Sequence, residues 1–522
     1  MPMPVRRRRP LAPSVIVLLA AVLSLIAATA GGQETQPDRW EPVRDHWYTL
    51  ELAGATAGWS HETVLSDGER YRSEGEMSFK VSRGATELEV TTRTVWLETH
   101  EGEPLELRFV QDMSLQSVDT RWVFEDDRVI AIARQGGREI RRELPRPEGD
   151  WLTPMAIRRH WLARREKGAE EISYKTINGE TGMNPITMTH VLIGEEKIDL
   201  PGRADVPVTV WKTSSSMMPG VAATWKVTAG GTRVSEEMAL AFGAMTTRLV
   251  TKEQALNHGA GPAPELMLDT FVKVDVPIED PRSTRTAVFR VRTKDGELPG
   301  LPSAGAQRVE VGEGGGWAVL RIDIDDPLPA DEGDLDKDEY REPSSMVDSS
   351  DALIRKLAAR ACAEAGDDPM ARAEALRKFV HEYITAKNLN TAFATASETA
   401  LMKRGDCSEH GVLLCALLRA AGIPARTASG LVYADTFAGE RDLFGWHMWT
   451  QALIDGKWID LDATLRARYD AAHVLIGTSS LAEGMGDADL SHLLILLGNL
   501  EIEIIEVNGE PVGAEQAATP MP

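Results

Sequence analysis

A thiol, an imidazole and a carboxylate follow one another along this chain at Cys407, His447 and Asp462. Acyl transfer through sulfur uses these three groups: a thiolate to attack a carbonyl, an imidazole to carry the proton, and an acid to hold the imidazole in one tautomer. The thiol stands in Gly405-Asp406-Cys407-Ser408-Glu409-His410, the imidazole in Gly445-Trp446-His447-Met448-Trp449, and the acid in Trp458-Ile459-Asp460-Leu461-Asp462-Ala463-Thr464.

Local signals place these groups on elements. Asp406 and Glu409 have the offset of a capping box, so the spacing predicts a helix starting at Cys407. Val412, Leu413, Leu417 and Leu418 give that helix a buried face, and Gly422 with Pro424 ends it. A sulfur on the first helical turn lies at the positive end of the macrodipole, beside unpaired amides that stabilise a thiolate and can donate to an oxyanion. His447 lies 40 residues on, in an alternating stretch from Trp446 to Leu453 that reads as a strand, and Asp462 lies 15 further, at the end of the next strand. Asp455-Gly456 is a hairpin signal between the two. Antiparallel neighbours joined there would set His447 beside Asp462, with one ring nitrogen for the carboxylate and the other for sulfur.

Taken together, Gly405-Asp406-Cys407, Gly422-Ile423-Pro424-Ala425-Arg426, His447-Met448-Trp449 and Trp458 to Thr464 resemble the transglutaminase-like superfamily, in particular its bacterial exported members, over residues 345–475. The resemblance implies a papain-like α+β domain in which a Cys-bearing helix packs on a sheet bearing His and Asp. It maps the nucleophile to Cys407, the histidine to His447 and the acid to Asp462; Asp460 is the alternative acid, fitting the Asp-Ala-Thr pattern less well. Ser408 stands where animal transglutaminases carry Trp, so their calcium dependence and glutamine–lysine crosslinking do not transfer. The region before the domain also looks like the β region seen beside such domains.

Other candidate groups have plainer readings. His410 follows Cys407 by three positions, but two ligands make no zinc site, and a capping or packing role is expected. Cys362 and Cys415 read as small buried hydrophobes, and Trp449 and Trp458 as core aromatics. No cofactor and no metal is expected.

At 522 residues the chain needs more than one domain, and 43% hydrophobic with 26% charged residues is ordinary globular usage. Arg6 to Arg9, the apolar run Val15 to Ala27 and Ala28-Thr29-Ala30 read as a signal peptide over residues 1–30, with retention as an N-terminal anchor the alternative. An exported, periplasmic or extracellular location follows. Without the four arginines of that segment, the 57 basic residues fall to 53 against 80 acidic, a formal charge of −27, which opposes nucleic acid or anionic membrane surfaces as partners. Three cysteines, two of them eight residues apart on one predicted helix, build no disulfide framework.

The fold class is α+β: a mostly antiparallel β domain over 31–257, then the thiol domain. Strand follows strand from Trp47 to about Leu256, interrupted by a helix between Trp151 and Glu166. A Gly/Pro-rich linker spans 258–264, and a small β unit with an acidic linker spans 265–344, with strands at Phe271 to Val276, Ala287 to Val291 and Trp317 to Ile324. Asp334, Asp336 and Asp338 suggest a calcium loop, but Glu339 stands where the loop needs Gly and Ser345 where it needs Glu, so the acidic stretch reads as a solvated linker. The thiol domain covers 345–475, a β extension with strands at Leu493 to Leu497 and Leu500 to Val507 covers 476–510, and 511–522 is expected to be a disordered tail.

The expected activity is that of a cysteine hydrolase or acyltransferase acting on amide bonds of a protein or peptide, with water the preferred acceptor and hence a peptidase or amidase. The rivals are an amine-accepting crosslinker, a non-catalytic binding or assembly module that keeps the fold, and a calcium-stabilised structural protein.

Overall fold

A computed structural model describes residues 40–512 apart from 84–85, 114–115, 136–137, 180–181, 219, 241–242, 258–262, 264–269, 388–393 and 483–495. The expected signal peptide, most of the linker, most of the expected strand at Leu493 to Leu497, and the tail from residue 513 lie outside the described residues.

Glu41 to Val250 fold into a fourteen-stranded antiparallel sheet of successive hairpins. Its alternation is the cause: along Thr86–Thr99 the side chains of Val90, Thr92, Trp96 and Glu98 are buried at every second or fourth position. The first strand, Glu41–Leu52, pairs with the last, Gly243–Val250, so the free edges are Arg138–Pro145 and Glu171–Thr176. The helix Pro154–Glu166 connects those edges. Pro154 suits its first turn, and buried Glu98 accepts from the Met155 amide (2.9 Å) where no residue of the helix itself caps it. Trp161 of this helix packs with Ile172, Trp211 and Val227.

The remainder is layered as helices, sheet and sheet. In the central sheet the strands Val272–Lys273, Glu440–Ile454, Ala425–Phe437 and His473–Ser479 lie in that order, and Lys457–Leu461 also pairs with Glu440–Ile454. One face carries the helices Ala352–Ala361, Pro369–Tyr383, Ala396–Met402 and Cys407–Ala420. The other face packs on a five-stranded sheet through Phe289, Leu320, Leu431, Phe444 and Val474. Val412, Leu413, Leu414, Leu417 and Leu418 are fully buried, and each contributes about 2 kcal/mol relative to exposure.

Several expectations need correction. The stretch Phe271 to Val276 forms only Val272–Lys273, and it edges the Glu440–Ile454 strand rather than the small sheet. His473–Ser479 is a strand of the thiol-domain sheet, and Leu500–Val507 pairs with Thr286–Thr293, so the C-terminal extension and the small β unit share one sheet. Alternation reveals which face a strand buries but not which neighbour it chooses. The acidic stretch is also not simply solvated: Asp334, in the short helix Glu332–Leu335, accepts from Arg426 (3.0 Å) and from the Trp458 indole (3.2 Å). Arg426 is almost fully buried, and a guanidinium there needs a counter-charge. Among the described residues, no helix is long and apolar enough to cross a membrane.

Candidate active site

The helix Cys407–Ala420 begins as its sequence predicts. Asp406 is the N-cap and accepts from the Ser408 amide (2.9 Å), while the Asp406 amide donates to Glu409 Oε2 (2.8 Å). Glu409 is completely buried and also accepts from the Ala394 amide (2.9 Å); burial, then the Asp406 charge, pushes its carboxyl up to about 7. Gly411, one turn after Cys407, lets the helix approach the His447 strand, since a Cβ there would lie 3.3 Å from Met448. The Thr450 hydroxyl fastens the contact by donating to the Gly411 carbonyl (3.0 Å).

The hairpin supplies the other two groups. Asp455 and Gly456 both have positive φ, at 50° and 73°, as the two-residue turn between Glu440–Ile454 and Lys457–Leu461 demands. Thr450 pairs with Leu461, so Asp462 lies just past the end of the ladder, and its side chain reaches diagonally to His447. His447 Nε2 donates to Asp462 Oδ2 at 2.8 Å. Cys407 is the other neighbour that favours the charged form of this imidazole. Burial opposes a charge on His447, but the Asp462 carboxylate, and then Cys407, outweigh it and hold the imidazolium up to about 9. Burial likewise opposes the charge on Asp462, yet the two neighbouring histidines keep its carboxyl well below the usual range.

The structure thus gathers Cys407, His447 and Asp462 at one place and sets Asp460 elsewhere. Asp460 accepts from the Trp449 indole (2.8 Å), Gln451 (2.8 Å) and the Ala306 amide (2.9 Å), fastening the small sheet to the central one. Its burial raises its pKa. Cys415 is buried and Cys362 only partly so; both are free thiols, as is Cys407. His410 is buried, hydrogen-bonds the Asp406 carbonyl through Nδ1 (2.6 Å), and is pushed by burial down to about 4.

Three residues at the site escaped the sequence reading. His473 Nε2 is 3.4 Å from Asp462 Oδ2, and its Nδ1 is 3.1 Å from Asp470 Oδ1. Burial lowers its basicity, but Asp470 and Asp462 together raise it to about 9, so it is a second buried imidazolium. Arg377, 2% exposed, donates to the carbonyls of Asp462 (3.2 Å), Leu465 (3.0 Å) and Ala467 (3.0 Å), and so holds the loop that carries the acid. Lys387 reaches the Thr464 carbonyl (3.2 Å) at the rim. Among the described residues, Nε2 of His447, Nε2 of His473 and an Asp462 oxygen lie within 4.8 Å of one another, a spacing that ligands of one metal also satisfy.

A thiol at a helix start over a sheet-borne imidazole and carboxylate is the arrangement of the cysteine-enzyme class. Residues 355–463 match the model of the Transglutaminase-like superfamily. Solved structures that show similarity include the following three. A β-barrel-like protein of a domain of unknown function from Brucella abortus is 14% identical over 40% of this chain and 96% of its own, with a TM-score of 0.32. A candidate cysteine protease from Cytophaga hutchinsonii is 17% identical over 44% of this chain and 89% of its own, with a TM-score of 0.27. A candidate protease from Parabacteroides distasonis is 11% identical over 58% and 68%, with a TM-score of 0.17. No curated protein matches the chain.

Proposed function

We propose that this is an exported thiol hydrolase that cleaves amide bonds of protein or peptide substrates through a thioester on Cys407. The observation that carries the reading is the 2.8 Å bond between the His447 imidazole and the Asp462 carboxylate, with Cys407 among the groups that favour the charged form of that imidazole. Cys407 attacks the carbonyl, His447 gives its proton to the leaving amine and then takes one from water, and Asp462 holds the ring. The Ser408 amide is engaged by Asp406, which leaves the Cys407 amide as the first-turn donor for the oxyanion. Water as acceptor needs no second substrate site, which supports hydrolysis over crosslinking. The apolar run near the N-terminus supports an envelope or extracellular location, and the acidic balance argues against nucleic acid as a partner.

A panel of peptide amides, with and without a primary amine as acceptor, tests this. Cys407→Ala should lower kcat/KM by about 10³-fold or more while the protein stays folded. Release of product that requires the amine would replace hydrolysis by transamidation. An absence of turnover, together with no alkylation of Cys407 below the pH of an ordinary thiol, would leave a binding module.

A further inference from the structure

Far from the thiol in sequence, the amino-terminal sheet and its one long helix enclose a half-open cleft of about 350 Å³. Its walls are aromatic and aliphatic: Trp96, Trp161, Tyr174, Trp225, Val64 and Val227. Three of its polar atoms are buried and have no hydrogen-bond partner among the described residues, namely Trp161 Nε1, Trp225 Nε1 and Ser73 Oγ. Trp161 is only 6% exposed. Buried donors of this kind are rare in a folded protein and call for an acceptor.

The charges at the cleft are unbalanced. Both acids on its wall are already matched: Glu62 by Arg233 (2.6 Å), and Glu74 by Arg72 and Arg93 (2.7 Å each). Arg44 and Arg158 also line the cleft. Among the described residues neither has an acidic partner, and Arg158 makes one bond, to the Gly230 carbonyl (2.8 Å). Burial and the nearby Arg44 charge both lower the Arg158 pKa, and the same two influences lower that of His46 beside them. Two cations that line one cleft without acidic partners of their own among the described residues are an arrangement that a bound anion would relieve.

We propose that this cleft binds a single-chain anionic amphiphile, a fatty carboxylate whose head sits between Arg44 and Arg158 and whose chain lies against Trp96, Trp161 and Trp225. The volume is near the lower end of the roughly 300–1,000 Å³ of small-molecule sites, which suits one short chain and not a two-chain lipid.

The test uses the full chain carrying Cys407→Ala and titrates dodecanoate below its micellar concentration, read by indole emission and by calorimetry. One molecule should bind per chain. Arg44→Gln and Arg158→Gln should each weaken binding by about tenfold or more, with little change for dodecanol. Arg44 makes no hydrogen bond or ion pair among the described residues, so its replacement removes charge without removing a structural contact. Absence of saturable binding would overturn the proposal, as would equal affinity for dodecyltrimethylammonium or an Arg44→Gln affinity within twofold of the parent.

Discussion

His447 keeps its proton although it is buried, because the Asp462 carboxylate lies 2.8 Å away and Cys407 also favours the charged ring. Folding raises this pKa from 6.5 to about 9, so the imidazolium contributes stability fully below pH 6.5 and loses it as the pH climbs through 9. In the proposed reaction the protonated ring is also the acid for the leaving amine. A pH profile of kcat/KM should therefore fall on its alkaline side near pH 9. His473 donates to the same carboxylate oxygen as a second cation, and so acts as a positioning residue. In His473→Gln, kcat should drop about tenfold with KM and Cys407 alkylation retained, and the alkaline limb should move upward because a neighbouring positive charge is gone. The positions of Cys407, His447 and Asp462 were legible because each sits in a local pattern. His473 and Arg377 were not, since nothing around them in the sequence announces a partner 11 or 85 residues away.

At the scale of elements, the start of the thiol helix and the hairpin after His447 are both written in short-range chemistry, Asp406 with Glu409 and Asp455 with Gly456. Asp406→Ala should cost about 1 kcal/mol, seen as a lower melting temperature, and should slow Cys407 alkylation because the helix start that positions the sulfur loosens. Gly430 pairs with His447 on one side, and a Cβ on it would fall on the Val474 carbonyl on the other. Gly430→Ala should thus force two adjacent strands apart and destabilise the domain by about 1–3 kcal/mol in denaturant titration. Which strands become neighbours was less readable. The placing of His473–Ser479 beside Ala425–Phe437 depends on two faces being buried together, which no window of sequence reports.

Across the whole molecule, the small sheet is built from both ends of the second half: Thr286–Thr293 lies between Trp317–Asp323 and Leu500–Val507. A chain ending at residue 480 should lose the apolar cover of Leu500, Ile502 and Ile504, expose a strand edge, and show earlier melting with aggregation in light scattering. Asp460 reaches across to the Ala306 amide, and Arg282 ion-pairs with Asp470 (2.8 Å) behind His473. The matched family segment, 355–463, contains Asp460 but not Ala306, Arg282, Asp470 or His473. Anyone grafting this chemistry into another host would accordingly have to move a cassette that opens near Thr270 and closes only after Val507, because a shorter excision severs the wiring beneath the imidazole while leaving its three best-known letters in place.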